Sequence, residues 1–140
     1  MEFTPKSEKQ IAEENLRPAG VYSFEIVDSV DAVSKSGNDM IKLSLHVYNQ
    51  SGDSCGVISD YLLEKLAYKL RHASFACGLG EKYNNGSLSA DDFIGKAGDV
   101  KIMIKKDKTG QYPDQNMIAD YLVKKDEHKT LDNLDDGIPF

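Results

Sequence analysis

Long apolar runs are missing from this chain. Nowhere do hydrophobic residues approach the roughly 18 consecutive positions that a membrane-spanning helix requires. The opening Met1-Glu2-Phe3-Thr4-Pro5-Lys6 is not followed by the apolar segment of a secretory signal peptide. A cytoplasmic location is therefore expected. Cysteine is scarce too. Cys55 and Cys77 are too few for a disulfide framework and are expected as free thiols in a reducing compartment. Together with His46 and His72 they form no paired C-x-x-C or H-x-x-x-H spacing, so neither a metal nor another cofactor is expected.

Basic charge is in deficit: 17 Lys and Arg stand against 23 Asp and Glu, for a net charge of -6. That balance argues against a nonspecific nucleic-acid sponge. It is uneven along the chain, however. Residues 124–140 hold three Lys and five acids, residues 1–19 two Lys, one Arg and four acids, and the remainder eleven basic and fourteen acidic residues. Nucleic-acid binding would require the basic residues to collect on one face. Catalytic patterns are lacking as well. Gly78-Leu79-Gly80 has neither the Lys nor the Ser/Thr of a phosphate-binding loop. The adjacent Asp91 and Asp92 do not converge, and no Ser, His and acid fall into a recognisable arrangement. A binding protein is expected, not an enzyme.

What is present fits one compact domain. The chain has 140 residues and is 40% hydrophobic. Three segments are read: an extension over 1–19, a folded body over 20–123 and an acidic tail over 124–140. Thr4-Pro5 reads as the start of a short polar helix running to about Glu14. Val21–Val33 alternates as a strand, long enough to bend and serve two sides of a sheet. Ser34–Asp39 is a turn by composition. Met40–Tyr48 is the cleanest strand: Ile41, Leu43, Leu45 and Val47 form a core face, and Met40, Lys42, Ser44, His46 and Tyr48 an outer face without an acid. Cys55–Leu63 follows as a third strand.

The period then becomes helical. Leu63, Leu66, Ala67, Leu70, Ala73 and Cys77 form an apolar stripe that Gly78 ends, with Lys65, Lys69, Arg71 and His72 on the solvent side. Residues 78–95 are a looser linker in which Ser89 and Asp92 predict a capped turn. Val100, Ile102 and Ile104 mark a fourth strand with Lys101 and Lys105 outward. A hairpin loop follows, and then a fifth strand over Asn116–Val123. Five strands with a helix between the third and fourth is the element order of a five-stranded oligonucleotide-binding (OB-fold) barrel, whose second and third strands and first and last hairpin loops hold the ligand.

Single-strand binding needs cations along the phosphates and aromatic faces for unpaired bases. The candidate cations are Lys35, Lys42, Lys101, Lys105, Lys106 and Lys108. The candidate stacking rings are Tyr48, Tyr61 and Tyr112, with His46 as a smaller plane. Each has a plainer reading: Tyr61, beside Asp60 and Leu62, could pack in the core, and the lysines at 105–108 could simply be a solvated hairpin.

The chain end, Leu134-Asp135-Asp136-Gly137-Ile138-Pro139-Phe140, is acidic and then apolar. It is expected to be flexible and suited to capture by a partner, the ring filling an apolar pocket and the carboxylates meeting Lys or Arg. Asp135, Asp136, Ile138, Pro139 and Phe140 resemble the C-terminal tip of bacterial single-stranded DNA-binding proteins; Gly137 departs from it, since an acid is usual there. Pro18-Ala19-Gly20-Val21-Tyr22, Ser34-Lys35-Ser36-Gly37-Asn38-Asp39-Met40-Ile41-Lys42-Leu43 and Asp60-Tyr61-Leu62 resemble a second group, the phage-encoded single-stranded DNA-binding proteins of the OB-fold. That resemblance runs from about Leu16 to Val123. It implies DNA binding in phage DNA replication, recombination or repair in the host cytoplasm, with replication or recombination proteins as partners of the tail. A single barrel of this kind often binds weakly alone, which leaves room for a homo-oligomer. The rival expectation is a protein–protein adaptor, or a decoy of a host enzyme, acting through the tail without binding DNA.

Overall fold

The computed structural model describes residues 1–123. Its elements are α1 (Glu8–Glu14), β1 (Gly20–Val33), β2 (Asp39–Tyr48), β3 (Ser54–Leu63), α2 (Ala67–Ala76), α3 (Gly80–Asn84), a 3₁₀ turn (Ala90–Phe93), β4 (Ala97–Lys105) and β5 (Gln115–Leu122). The strands form one antiparallel sheet in the order β3-β2-β1-β4-β5. The chain is thus mainly β, with helices inserted between β3 and β4. No helix among the described residues is long and apolar enough to cross a membrane.

The long first strand does serve two partners. Residues 20–25 pair with β4, while residues 23–33 pair with β2. The register slips between Ile26 and Asp28, so Val27 is a bulge residue. Before the bulge Tyr22, Phe24 and Ile26 point inward; after it the inward residue is Ser29. A bulge of this kind bends the strand and raises its twist, letting one strand curve across both halves of a sheet. Opposite it, Leu43, Leu45 and Val47 of β2 are fully buried, as their alternation predicts. Val100, Ile102, Ile118 and Tyr121 complete the floor, and Phe24 meets Tyr121 edge-on with ring centroids 5.6 Å apart. The glycine at 98 lets α2 approach β4, since a Cβ there would lie 3.2 Å from the Phe24 ring and 3.3 Å from the carbonyl of Ala76.

The two edge strands, β3 and β5, do not share a ladder. Side chains join them instead. Asp60 on β3 accepts a hydrogen bond from the Tyr121 hydroxyl on β5 at 2.7 Å and another from Lys69 on α2 at 2.7 Å. The same ammonium donates to the carbonyl of Ile118 on β5 at 3.0 Å. Lys69, expected on the solvent side of its helix, is therefore only 6% exposed. The reason is tertiary: Asp60 and an edge carbonyl of β5 need a buried donor, and Lys69 reaches both. Leu66 and Ala67, expected in the apolar stripe, are exposed instead. Phe75 and Ser74 take up interior positions.

Local capping explains the helix ends. α2 stops where Gly78, at φ 74°, donates to Phe75 and Leu79 donates to Ser74 at 2.7 Å. Ser89 and Asp92 cap the 3₁₀ turn as expected, through the bond from the Ser89 amide to the Asp92 carboxylate at 2.9 Å. α1 begins later than Thr4-Pro5 predicts. Its cap is Ser7, locked by a reciprocal pair with Gln10. The segment after α1 docks on β5: the Asn116 side chain both accepts from the Arg17 amide and donates to the Arg17 carbonyl, each at 2.8 Å.

Candidate nucleic-acid interface

Paired residues of antiparallel strands project from the same side of a sheet, so the register lays out the outer face row by row. One row runs Val30, Lys42, Tyr61 across β1, β2 and β3. The next runs Asp28, Ser44, Ser59. The third runs Ala97, Glu25, His46, Val57, starting from β4. The fourth runs Asp99, Ser23, Tyr48, Ser54.

The candidate side chains of β2 and β3 therefore share one surface. Lys42 and Tyr61 are direct cross-strand neighbours. Tyr61 is 41% exposed, while its neighbours Asp60 and Leu62 are buried. The strand's parity turns the ring outward and places the acid in the interior. His46 and Tyr48 stack, with centroids 4.5 Å apart and ring planes 25° from parallel. Both imidazole nitrogens are occupied: Nε2 lies 2.6 Å from the Ser54 hydroxyl and Nδ1 lies 3.2 Å from the Tyr48 hydroxyl. These two contacts fix the orientation of the ring. The two rings form a half-buried aromatic platform. Lys35 projects from the turn that joins β1 to β2.

A second group sits on the β4–β5 hairpin. Lys105, Lys106, Lys108 and Tyr112 line a shallow cleft of about 480 Å³. Tyr112 is 66% exposed. Its backbone is held by Asp107, whose carboxylate accepts from the Thr109 hydroxyl at 2.6 Å and the Tyr112 amide at 3.0 Å. These bonds, the Thr109 hydroxyl first, hold the Asp107 carboxyl below its usual pKa, so it stays charged and keeps the loop shaped. Helix α1 touches this loop, with Lys9 donating to the carbonyl of Gly110 at 3.3 Å.

Lys101 belongs to neither group. It lies outward on β4, between Val21 of β1 and Asp120 of β5, with β1 separating β4 from β2. Asp120 itself is engaged by His72, at 2.9 Å from each carboxylate oxygen. The tail residues Asp135, Asp136, Ile138, Pro139 and Phe140 lie outside the described residues.

One feature of this face is not legible in the sequence. Glu25 and Asp28 stand on β1 directly beside His46 and Ser44, so the face has an acidic border. Simple alternation would have put Val27, not Asp28, in line with Glu25. The bulge reverses that parity, and no residue in the stretch announces it. A larger depression than the hairpin cleft, about 1340 Å³, lies elsewhere, between the β1–β2 hairpin, β3 and the helices. Its rim carries Asp31, Asp39 and Glu64 against Lys65 alone, a balance unsuited to phosphate. Among the described residues no three His, Cys, Asp or Glu side chains gather as a metal site requires. In comparisons with known proteins, no family model matches the chain and no curated protein matches its sequence.

Proposed function

We propose that the chain binds single-stranded DNA across the outer face of β2 and β3, with the β1–β2 turn and the β4–β5 hairpin as flanking cationic arms. The observation that carries this reading is the pairing of Lys42 with Tyr61 on the same face as the stacked His46–Tyr48 platform. A cation beside an exposed ring, and a second aromatic surface along the strand, are what unpaired bases and their phosphates require. The fold supports it. A first strand shared between β2 and β4, helices between β3 and β4, and edge strands held together by Asp60, Lys69 and Tyr121 are consistent with an oligonucleotide-binding barrel.

In this reading the protein coats or protects single strands during DNA replication, recombination or repair. Its acidic tail recruits a partner through Phe140, with Asp135 and Asp136 as steering charges. Electrophoretic retardation of labelled oligo-dT at low and moderate salt is the test. Retardation at micromolar protein in low salt is expected, weakening as salt rises. No retardation, with partner capture through residues 131–140 retained, would leave the adaptor reading in its place.

A further inference from the structure

The rows of the outer face differ in size, and the difference makes a slot. The row Asp28–Ser44–Ser59 carries only short side chains. On one side stands the row of His46, on the other the row of Lys42 and Tyr61. Lys42 and His46 are four residues apart, so the walls are separated by about 13 Å along the strand. The floor is two hydroxyls. One wall begins with an imidazole already stacked on Tyr48. A flat aromatic base is the shape such a slot accepts.

The β1 end of the slot carries acceptors. Asp28 uses Oδ1 to accept from the neighbouring Ser29 amide at 2.9 Å, which leaves Oδ2 without a hydrogen bond among the described residues. Glu25 faces His46 across the ladder, but both nitrogens of His46 are turned to Ser54 and Tyr48. The Glu25 carboxylate has no hydrogen-bond or ion-pair partner among the described residues. Two carboxylates at the β1 end of the row, and none on the outer faces of β2 and β3, would turn phosphates away from β1 and point base edges toward it. A carboxylate accepts well from the exocyclic amino group of cytosine and poorly against the carbonyl that thymine offers at the same position.

We infer that Asp28, with Glu25 beside it, reads the exocyclic amino group of a base held in the Ser44–Ser59 slot, so that this face selects cytosine-rich over thymine-rich single strands. The inference rests on the single-strand reading above and adds to it a base-selective subsite. Fluorescence anisotropy with labelled oligo-dC and oligo-dT of equal length, at mildly alkaline pH so that cytosine stays unprotonated, tests both. The full chain is expected to bind oligo-dC about fivefold more tightly than oligo-dT, a fraction of what a full bidentate base contact provides. In the double variant Glu25→Ala/Asp28→Ala, whose altered side chains are exposed and whose folding circular dichroism can verify, the ratio should fall to about one. Equal binding of the two oligomers by the parent would overturn the subsite and leave the single-strand reading intact. A cytosine preference that survives the double variant would also overturn it. Binding of neither oligomer would refute the single-strand reading itself.

Discussion

Replacing Lys69 by Met should unfasten the two edges of the sheet. Lys69 and Asp60 have side chains only 8% and 10% exposed, and their charged atoms are 2.7 Å apart. The methionine keeps the aliphatic stem but removes the ammonium. Asp60 then keeps one partner, the Tyr121 hydroxyl, and the Ile118 carbonyl loses the Lys69 donor. Removing one member of a buried ion pair costs about 3–5 kcal/mol, because the other charge is left without compensation. For a domain of this size that corresponds to a melting temperature lower by roughly 10–20 °C. Thermal and urea unfolding followed by circular dichroism give the number directly. The cost belongs to the stranded charge rather than to lost attraction. So the triple variant Lys69→Met/Asp60→Leu/Tyr121→Phe should regain most of the loss, ending within about 2 kcal/mol of the parent. The reasoning fails if Lys69→Met costs less than about 1 kcal/mol, or if the triple variant is no more stable than the single one.

Three other perturbations probe the same body. Ser29 is buried on the inner side of β1 with a hydroxyl that has no hydrogen-bond partner among the described residues, so Ser29→Ala should leave stability unchanged or raise it by up to about 1 kcal/mol in urea unfolding. Gly80→Ala sets helix propensity, worth about 1 kcal/mol in favour, against a methyl that runs into the Phe75 ring. That ring is held by Arg71 at 4.6 Å and by Tyr83, so a net loss of about 1–2 kcal/mol is expected, and a gain would show that the ring moves aside freely. Burial, and then the Asp60 charge, push the Tyr121 phenol well above its ordinary value of 10.0. The folded pKa exceeds the unfolded one, so stability is untouched below pH 10.0 and falls as pH rises beyond it. Tyr121→Phe should flatten that alkaline decline, which a pH series of melting temperatures would reveal.

The strands were legible because each buries one face. The alternation Ile41, Leu43, Leu45, Val47 survives intact as a fully or nearly fully buried row. The outer candidates on β2 followed at once, since period two leaves them no other side. Three things were hidden, each for a tertiary reason. The bulge at Val27 reverses the parity of β1, so the acidic border of the face could not be placed. Lys69 lies among polar helix residues, and its partners stand 9 and 49 positions away, beyond any local pattern. Tyr61 sits between two residues that turn out to be buried, and only the pairing with Lys42 decides which way its ring points. The start of α1 was misplaced for a smaller reason. Thr4-Pro5 and Ser7 both suit a helix start, and the Gln10 side chain three residues after Ser7 decides between them.

The most direct measurement is the salt dependence of oligo-dT affinity for the parent and for Lys42→Ala/Tyr61→Ala. Contacts from Lys35, Lys42, Lys106 and Lys108, at about 0.7 each for single strands, predict a slope of log K against log salt of about -3. Loss of the ring should weaken binding by about 1–3 kcal/mol, and loss of the Lys42 charge should make the slope shallower by about 0.7. Measurable binding with that slope, weakened and flattened in the variant, is the expected result. An affinity and a slope that do not change when Lys42 and Tyr61 are removed would contradict the placement of DNA on this face.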